Sequence, residues 1–138
     1  MSDLPLSRLL LEAFRSVDAE TVAALADRGE SSLSPGHAAA LLLVDNAGTR
    51  LTDLAERSQI TKQAMMQVVD DLERMGSVRR VPDPSDARAK MVKLTAKGLR
   101  QRSDARKAVA AVESRSRRRL GRRYDALREG LEALLAGD

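Results

Sequence analysis

The sequence contains no cysteine, one histidine and two aromatic residues, Phe14 and Tyr124. Without cysteine, no disulfide, thiolate metal site or cysteine redox sensor can form. Because His37 has no second histidine or cysteine with which to share a metal ion, we expect no metal site, and no motif points to a cofactor. The sequence also has no glycine-rich phosphate loop and no Ser-His-Asp motif, so it gives little support for an enzyme.

Long hydrophobic runs are absent as well. The longest, residues 38–44, is far too short to span a membrane, and the N-terminus has acidic residues but no signal-peptide pattern. We therefore expect a cytoplasmic protein with no membrane partner. A chain of 138 residues has the length of one domain, 1–138. With so few aromatic rings its core must come from Leu, Val, Ala and Met, which favours stacked helices.

The charge of the chain is basic and unevenly distributed. The net charge is +4 and the sequence pI is about 10, which fits an acidic partner without proving one. Residues 1–34 hold three arginines against six carboxylates, whereas residues 77–93 hold five cations against two carboxylates. A uniformly solvated surface would not need this separation of charge.

Two helices are predicted in the first third of the chain. Apolar residues recur on one side over residues 5–28, and a polar loop follows. Ser34 is a good N-cap and Pro35 suits the first helical position, so a second helix begins there and ends near residues 46–48. Because this second helix is apolar on most sides, we expect it at the centre of the domain.

Residues 51–98 predict a helix, a turn, a second helix and a β-hairpin. Thr52 is interpreted as the N-cap of the first helix, Thr61 as that of the second, and Thr95 as that of a long helix after the hairpin. The second helix has an apolar face, and Gly76 ends it. The segments SVRRV and KMVKL flank the loop PDPSDARA and predict a hairpin, with residues 49–51 as a short extra strand. The predicted fold is mainly α with a small β-hairpin wing. The residues expected on the buried face are Met65, Val68, Leu72 and Met75.

Three motifs in this segment resemble the MarR family of bacterial winged-helix transcription regulators. They are LERMGSVRR from residue 72, DPSDAR from residue 83 and LTAKG from residue 94. The resemblance implies a winged helix-turn-helix core over about 34–98, with dimerisation helices over about 5–28 and 99–136. It also implies a bacterial, nucleoid-associated homodimer. Gln59 stands where the family often has Gly, so a left-handed conformation there would cost about 1 kcal/mol.

For DNA binding, the second helix of the motif must present polar side chains to the major groove. The alternative is that these side chains are only the solvated face of an amphipathic helix. The carboxylates of Asp70, Asp71 and Glu73 predict that the C-terminal half of this helix lies off the DNA. The residues expected to contact bases are Thr61, Lys62, Gln63, Met66 and Gln67, and those expected to contact phosphates are Arg79, Arg80, Lys90 and Lys93.

Arg88 is the strongest DNA-binding candidate in the wing. A charged guanidinium at a hairpin tip can enter a narrow minor groove, and Asp86 can orient it, as the resemblance also implies. The alternative is a salt bridge within the loop, which contributes about 0–1 kcal/mol when exposed.

The same resemblance implies that the terminal helices pair two subunits, and the alternative is that the C-terminal helix covers its own domain. The arginines of residues 115–123 are interpreted as ion-pair partners of Asp18 and Glu20 in the other subunit, with an anionic effector or a long DNA track as alternatives. His37 is a candidate contact for a small aromatic or anionic effector, although a lone histidine is more often a cap or a surface residue. The predicted dimer residues are Leu6, Leu10, Phe14, Val17, Tyr124, Leu127, Leu131 and Leu134.

The function best supported by these observations is a homodimeric, sequence-specific transcription regulator, a repressor of a nearby operon that a small molecule releases. Its DNA partner would be a pseudo-palindromic operator with half-sites about 10 bp apart. The alternative is an architectural DNA-binding or protein-contact module without a ligand.

Overall fold

The computed structural model describes residues 3–137, which form six helices and a three-stranded antiparallel sheet. The fold is therefore mainly helical with a small wing, as the sequence predicts. The elements in chain order are α1 (Leu6–Asp27), α2 (Pro35–Leu43), β1 (Thr49–Arg50), α3 (Leu51–Ser58), α4 (Lys62–Arg74), β2 (Val78–Asp83), β3 (Asp86–Leu94), α5 (Ala96–Leu120) and α6 (Arg123–Ala136).

The sheet has the order β1-β3-β2, with β3 in the middle. Thr49 pairs with Val92 in the β1–β3 ladder, which confirms the short extra strand. The wing hairpin is longer than predicted, because β2 continues to Asp83 and β3 begins at Asp86. Only two residues connect the strands, and the ladder is irregular next to Pro82, which has no N–H to donate.

Three predicted helix caps are present and one is wrong. The hydroxyls of Ser34, Thr61 and Thr95 accept hydrogen bonds from the backbone N–H three residues later, at the starts of α2, α4 and α5. Thr52 does not cap α3. The N-cap is Arg50, two residues earlier, and the helix begins at Leu51, because Arg50 still pairs with β3 and is the last extended residue.

Helix α2 lies at the centre of the core, as expected from its apolar composition. It packs against α3, α4 and α5, with Ala38, Ala40 and Leu41 buried. From α4, Met65 and Leu72 are buried as predicted. The third fully buried residue of α4 is Val69, whereas the predicted Val68 and Met75 are only half-buried. The buried face of α4 is therefore rotated slightly from the predicted one.

Helices α1 and α6 expose much of their apolar surface. A groove of about 330 Å³ runs between them, lined by leucines that include Leu6, Leu10 and Leu131. Tyr124, which was predicted as a dimer residue, is buried within its own chain, with the Arg117 guanidinium 4.3 Å from the ring centroid, and its role in a dimer stays a prediction. The large apolar side chains exposed on the two helices include Leu6, Leu9, Leu11, Phe14, Val17, Leu127, Leu134 and Leu135.

The arginines near the end of α5 were expected to pair with Asp18 and Glu20 of the other subunit, but two of them pair with Glu20 of their own chain. Arg119 Nη2 lies 3.0 Å from Glu20 Oε1, and Arg115 Nη1 lies 3.8 Å from the same oxygen. Both contacts are within one chain, because α1 packs along α5 and already supplies the carboxylate. Glu20 therefore needs no arginine from another subunit.

Within residues 3–137, no helix is both long and apolar enough to cross a membrane.

Candidate nucleic-acid interface

The first turns of α4 form an exposed polar surface. Gln59 has φ 55° and ψ 40°, the left-handed conformation that turns the chain from α3 into α4. Thr61 Oγ1 then accepts a hydrogen bond from Ala64 N at 3.0 Å and fixes the start of α4. The predicted base-contacting residues follow, all of them exposed, with Met66 the apolar member at 43% exposure. These residues are Lys62, Gln63, Met66 and Gln67.

The C-terminal half of α4 is acidic, and its carboxylates bind side chains of this protein. Asp70 and Glu73 both bind the Arg80 guanidinium, at 2.8 Å and 2.5 Å. The hydrogen bond from Arg80 to Asp70 is the main cause that raises the pKa of Arg80. Arg80 was expected to contact phosphate, but its charge is already neutralised within the chain. It ties strand β2 to α4 instead.

Asp71, the third carboxylate, also binds neighbours in the chain. It accepts a hydrogen bond from Gln67 and pairs with Arg74. Its Oδ2 lies 3.1 Å from His37 Nε2. The hydrogen bond with His37 is the largest cause that lowers the pKa of Asp71, and Gln67 and Arg74 lower it further.

His37 serves as a helix cap as well as a partner of Asp71. Its backbone N–H donates to Ser34 Oγ, and its Nδ1 accepts from Ser34 N, so the two residues form a capping box at the start of α2. Both ring nitrogens are therefore bonded within the chain. An effector could hydrogen-bond to the His37 ring only by displacing Ser34 or Asp71, and the predicted effector contact of His37 stays a prediction.

The turn of the wing is fixed by Asp83, which is 6% exposed. Its Oδ1 accepts hydrogen bonds from the backbone N–H and the hydroxyl of Ser85, both at 2.8 Å. Its Oδ2 accepts from Arg50 Nε at 2.6 Å and pairs with Nη2 at 2.5 Å. The Ser85 bonds are the largest causes that lower the pKa of Asp83, and Arg50 lowers it further. The Asp83 bond in turn raises the pKa of Arg50.

Arg50 and Asp83 were not predicted as parts of the site. A signal for Asp83 is present in the sequence, because the aspartate of an Asp-Pro-Ser turn commonly accepts a hydrogen bond from the backbone N–H two residues later. No local signal identified Arg50, because it reaches Asp83 only after β1 has joined the sheet.

Arg88 extends from this anchored hairpin with 94% of its side chain exposed. Its backbone N–H donates to Asp86 Oδ1 at 3.0 Å, and its Nε lies 3.6 Å from the same oxygen. Asp86 therefore orients the residue but leaves the guanidinium in solvent. Arg79 and Lys90 are also exposed, and Lys93 is partly buried.

These features form two exposed surfaces joined by ion pairs. The first is the start of α4, and the second is the tip of the wing, which Arg88 leads. Arg80 connects β2 to α4, and Arg50 holds the turn of the wing against β1. In the described residues, 3–137, no cluster of three or more potential metal ligands occurs. The arrangement offers cations and amides to a polyanion.

The MarR family model matches residues 31–89, from the loop before α2 through the wing. No curated protein matches the chain significantly. Among solved structures, the transcriptional repressor CouR bound to a 23-mer DNA duplex is 29% identical, with a TM-score of 0.77, over 99% of this chain and 98% of that one. CouR from Rhodococcus jostii bound to p-coumaroyl-CoA is 26% identical, with a TM-score of 0.74, over 97% and 93%.

A MarR family protein from Mycobacterium tuberculosis, in complex with salicylic acid, is 30% identical to this chain, with a TM-score of 0.70. The similarity covers 96% of this chain and 98% of that one. Likeness at this level over nearly the whole length of both chains, together with the family model and the winged fold, shows that the protein belongs to the MarR family of transcriptional regulators.

Proposed function

We propose that this protein is a homodimeric, sequence-specific DNA-binding regulator that represses transcription until a small molecule releases it. The observation that carries the proposal is the pair of exposed surfaces, the first turns of α4 and the wing tip with Arg88. An exposed, capped helix start with amide and ammonium groups suits the major groove, and an extended guanidinium suits the minor groove. The family consists of transcriptional regulators, which are not enzymes.

The residues that we propose to contact DNA differ in role. Thr61, Lys62, Gln63, Met66 and Gln67 face base edges and the adjoining backbone. Arg88 enters the minor groove with its orientation set by Asp86. Arg79 and Lys90 supply charge for phosphates, and Arg80 contributes by holding the wing against α4 rather than by touching DNA.

We propose a division of the single domain, 1–138, into a DNA-binding core over about 34–98 and dimerisation helices over about 5–28 and 99–136. The exposed apolar surface of α1 and α6 supports this division, because exposing so many large side chains is costly unless a second copy covers them. A two-fold dimer would present its two α4 helices to half-sites about 10 bp apart in a pseudo-palindrome. The proposed dimer residues are Leu6, Leu10, Phe14, Val17, Leu127, Leu131 and Leu134.

A small aromatic or anionic effector is the proposed signal for release. Salicylic acid and p-coumaroyl-CoA, the ligands bound to two related proteins, both contain an aromatic ring and an acidic group. An effector that binds the DNA-incompetent form better shifts the population away from the operator. We further propose that the protein acts in the bacterial cytoplasm, on the nucleoid.

An architectural protein without sequence preference is the alternative, and the acidic half of α4 favours it. The two functions differ in the ratio of specific to non-specific affinity. The deciding experiment measures fluorescence anisotropy of the full chain with the intergenic DNA upstream of its own reading frame and with a scrambled duplex, over a series of salt concentrations.

The proposed function predicts that the native duplex binds at least about 1,000-fold more tightly than the scrambled one near physiological salt. Equal affinity for both, followed by no enriched sequence in a selection from random duplexes, would establish the architectural alternative. The absence of binding to any DNA at low salt would refute both.

A further inference from the structure

The carboxylate of Asp71 connects helix α2 to the exposed surface of α4. Its Oδ2 lies 3.1 Å from His37 Nε2, and its Oδ1 accepts a hydrogen bond from Gln67 Nε2 at 3.0 Å. Gln67 lies one helical turn before Asp71, on the part of α4 proposed to face DNA. Arg74, one turn later, completes the pairing of the carboxylate. Both oxygens of Asp71 are therefore bonded, one of them to another helix.

The capping box determines how His37 holds Asp71. Because His37 Nδ1 accepts a hydrogen bond from Ser34 N, Nδ1 carries no proton in this arrangement. The ring proton is then on Nε2 and is donated to Asp71. The imidazole is bonded at both ends, and its side chain is only 15% exposed. Through Oδ2, Asp71 thus binds a partner that is itself held in place.

The hydrogen bond that Gln67 donates to Asp71 fixes which way the Gln67 amide is turned. A free glutamine amide can rotate by half a turn and exchange its carbonyl oxygen for its NH₂ group. Adenine presents N7 as an acceptor and N6 as a donor, so a paired amide must offer its two groups in one order. With Nε2 held by Asp71, Gln67 presents Oε1 as the acceptor and retains a second N–H as the donor.

We propose that Asp71, held by His37, is a specificity-determining positioning residue that orients the Gln67 amide before DNA is bound. The inference rests on the proposed function, since Gln67 must face base edges. Preorganisation of this kind lowers the entropy lost on binding and disfavours the flipped amide. Asp71 therefore acts on the choice of base at one position. As an anion near the DNA, it does not add to general affinity.

The test begins with a selection from random duplexes with the full-length wild-type chain, which gives a consensus duplex. Single base-pair substitutions of that duplex are then measured by anisotropy with wild type and five variants. Gln67→Ala identifies the base pair that Gln67 contacts. Asp71→Ala and the double variant test the coupling, and Glu56→Ala is the control, because it removes an exposed carboxylate of the neighbouring helix α3 that forms no ion pair among residues 3–137.

At the base pair identified by Gln67→Ala, wild type should discriminate by about 10-fold or more, and Asp71→Ala should lose at least about 3-fold of that ratio. Asp71→Ala should cause no further loss in the Gln67→Ala background, and Glu56→Ala should leave the ratio within about 2-fold of wild type. His37→Gln keeps an acceptor for the Ser34 N–H but removes the imidazole, and should reduce discrimination at the same base pair. His37→Gln tests the proposal if Asp71→Ala does not fold.

Unchanged discrimination in both Asp71→Ala and His37→Gln, or equal loss in Glu56→Ala, would overturn the inference and leave the proposed function intact. A Gln67→Ala variant that loses discrimination at no base pair would also overturn it. If wild type enriches no sequence from the random duplexes, the proposed function itself fails, and the inference fails with it.

Discussion

The carbonyl oxygen of Ser77 occupies the space where a side chain on Gly98 would begin. A Cβ atom built on Gly98 would lie 2.0 Å from this oxygen, and the atom in the way belongs to the backbone. Thr95, three residues earlier, caps α5 and places its hydroxyl 2.6 Å from the Gly76 carbonyl oxygen. The end of the wing and the start of α5 are thus held against the residues that follow α4. The motif LTAKG therefore needs its threonine and its glycine three residues apart, one to cap α5 and the other to admit the Ser77 carbonyl.

Gly98→Ala should therefore destabilise the protein severely. Since a backbone segment must move to admit the methyl group, we expect a loss of about 3 kcal/mol in the free energy of unfolding. Urea unfolding followed by circular dichroism measures it. Gly36→Ala is the matched control, because Gly36 is exposed in the first turn of α2 and a Cβ there would make only an ordinary contact, 3.6 Å from Ser34 Oγ. That substitution should change the free energy of unfolding by less than about 1 kcal/mol. A Gly98→Ala protein as stable as wild type would contradict the close contact.

Gln59→Gly should raise the free energy of unfolding. Gln59 is the one residue other than glycine with positive φ in the described part of the chain, 3–137. Relief of the left-handed strain should contribute about 1 kcal/mol, offset in part by the greater freedom of glycine in the unfolded chain. We expect a net gain of up to about 1 kcal/mol by urea unfolding. Gln59→Ala, which cannot relieve the strain, should gain nothing. A gain of equal size in both variants would show that strain is not the cause.

The elements and caps of this fold could be predicted because their signals are local. Thr61 caps α4 through a residue three positions away, and the same spacing applies to Ser34 and Thr95. The exposed position of Arg88 follows from the same kind of local signal, a charged residue at a hairpin tip. The Thr52 prediction failed because the end of β1, which is set by distant strand pairing, determines where α3 begins.

The contacts that shape the candidate site could not be predicted in the same way. Arg50 binds Asp83 and His37 binds Asp71 across 33 and 34 residues of sequence. The sequence offers each of these residues several polar or oppositely charged side chains as possible partners. Only the packing of strands and helices determines which of them it contacts. Arg80 illustrates the consequence. Its charge suggested phosphate contact, but the folded chain places two carboxylates of α4 against it.

Acid should weaken the fold through Asp83. Hydrogen bonds from Ser85 and Arg50 hold the pKa of Asp83 below its ordinary value, so the folded protein favours the charged form more than the unfolded chain does. The resulting stabilisation is present above the unfolded pKa of about 4 and is lost as the pH falls through the lower folded pKa.

Asp83→Asn should therefore be less stable than wild type near pH 7, and the difference should shrink below about pH 4. Urea unfolding at a series of pH values measures both proteins. Asp27→Asn is the control, because Asp27 is exposed and makes no ion pair among residues 3–137. A difference between Asp83→Asn and wild type that stays constant from about pH 7 to about pH 3 would rule out this role of the carboxylate.

Phe14→Glu should convert the protein to a monomer. Phe14 is 61% exposed in the single chain, so a glutamate there leaves the fold of one chain intact, but it would place a charge inside the proposed dimer surface. Light scattering should give the 15.0 kDa of one chain in place of twice that mass. Met66→Glu puts the same charge on an exposed apolar residue of α4 and should remain dimeric. A monomeric wild type, or a dimeric Phe14→Glu protein, would refute the proposed dimer surface.

Arg88→Ala should weaken DNA binding about tenfold or more and reduce its dependence on salt. Each cation that displaces counterions contributes about 0.9 to the slope of log affinity against log salt, so the slope should become shallower by about one unit. Arg118→Ala is the matched control, because it removes the same charge near the C-terminal end of α5. Arg118 lies about 33 Å along α5 from the first turn of that helix, which follows the wing. Affinity and slope should stay at the wild-type values in Arg118→Ala. If both arginine variants weaken binding equally, general charge explains the loss. If neither does, Arg88 lies outside the DNA interface.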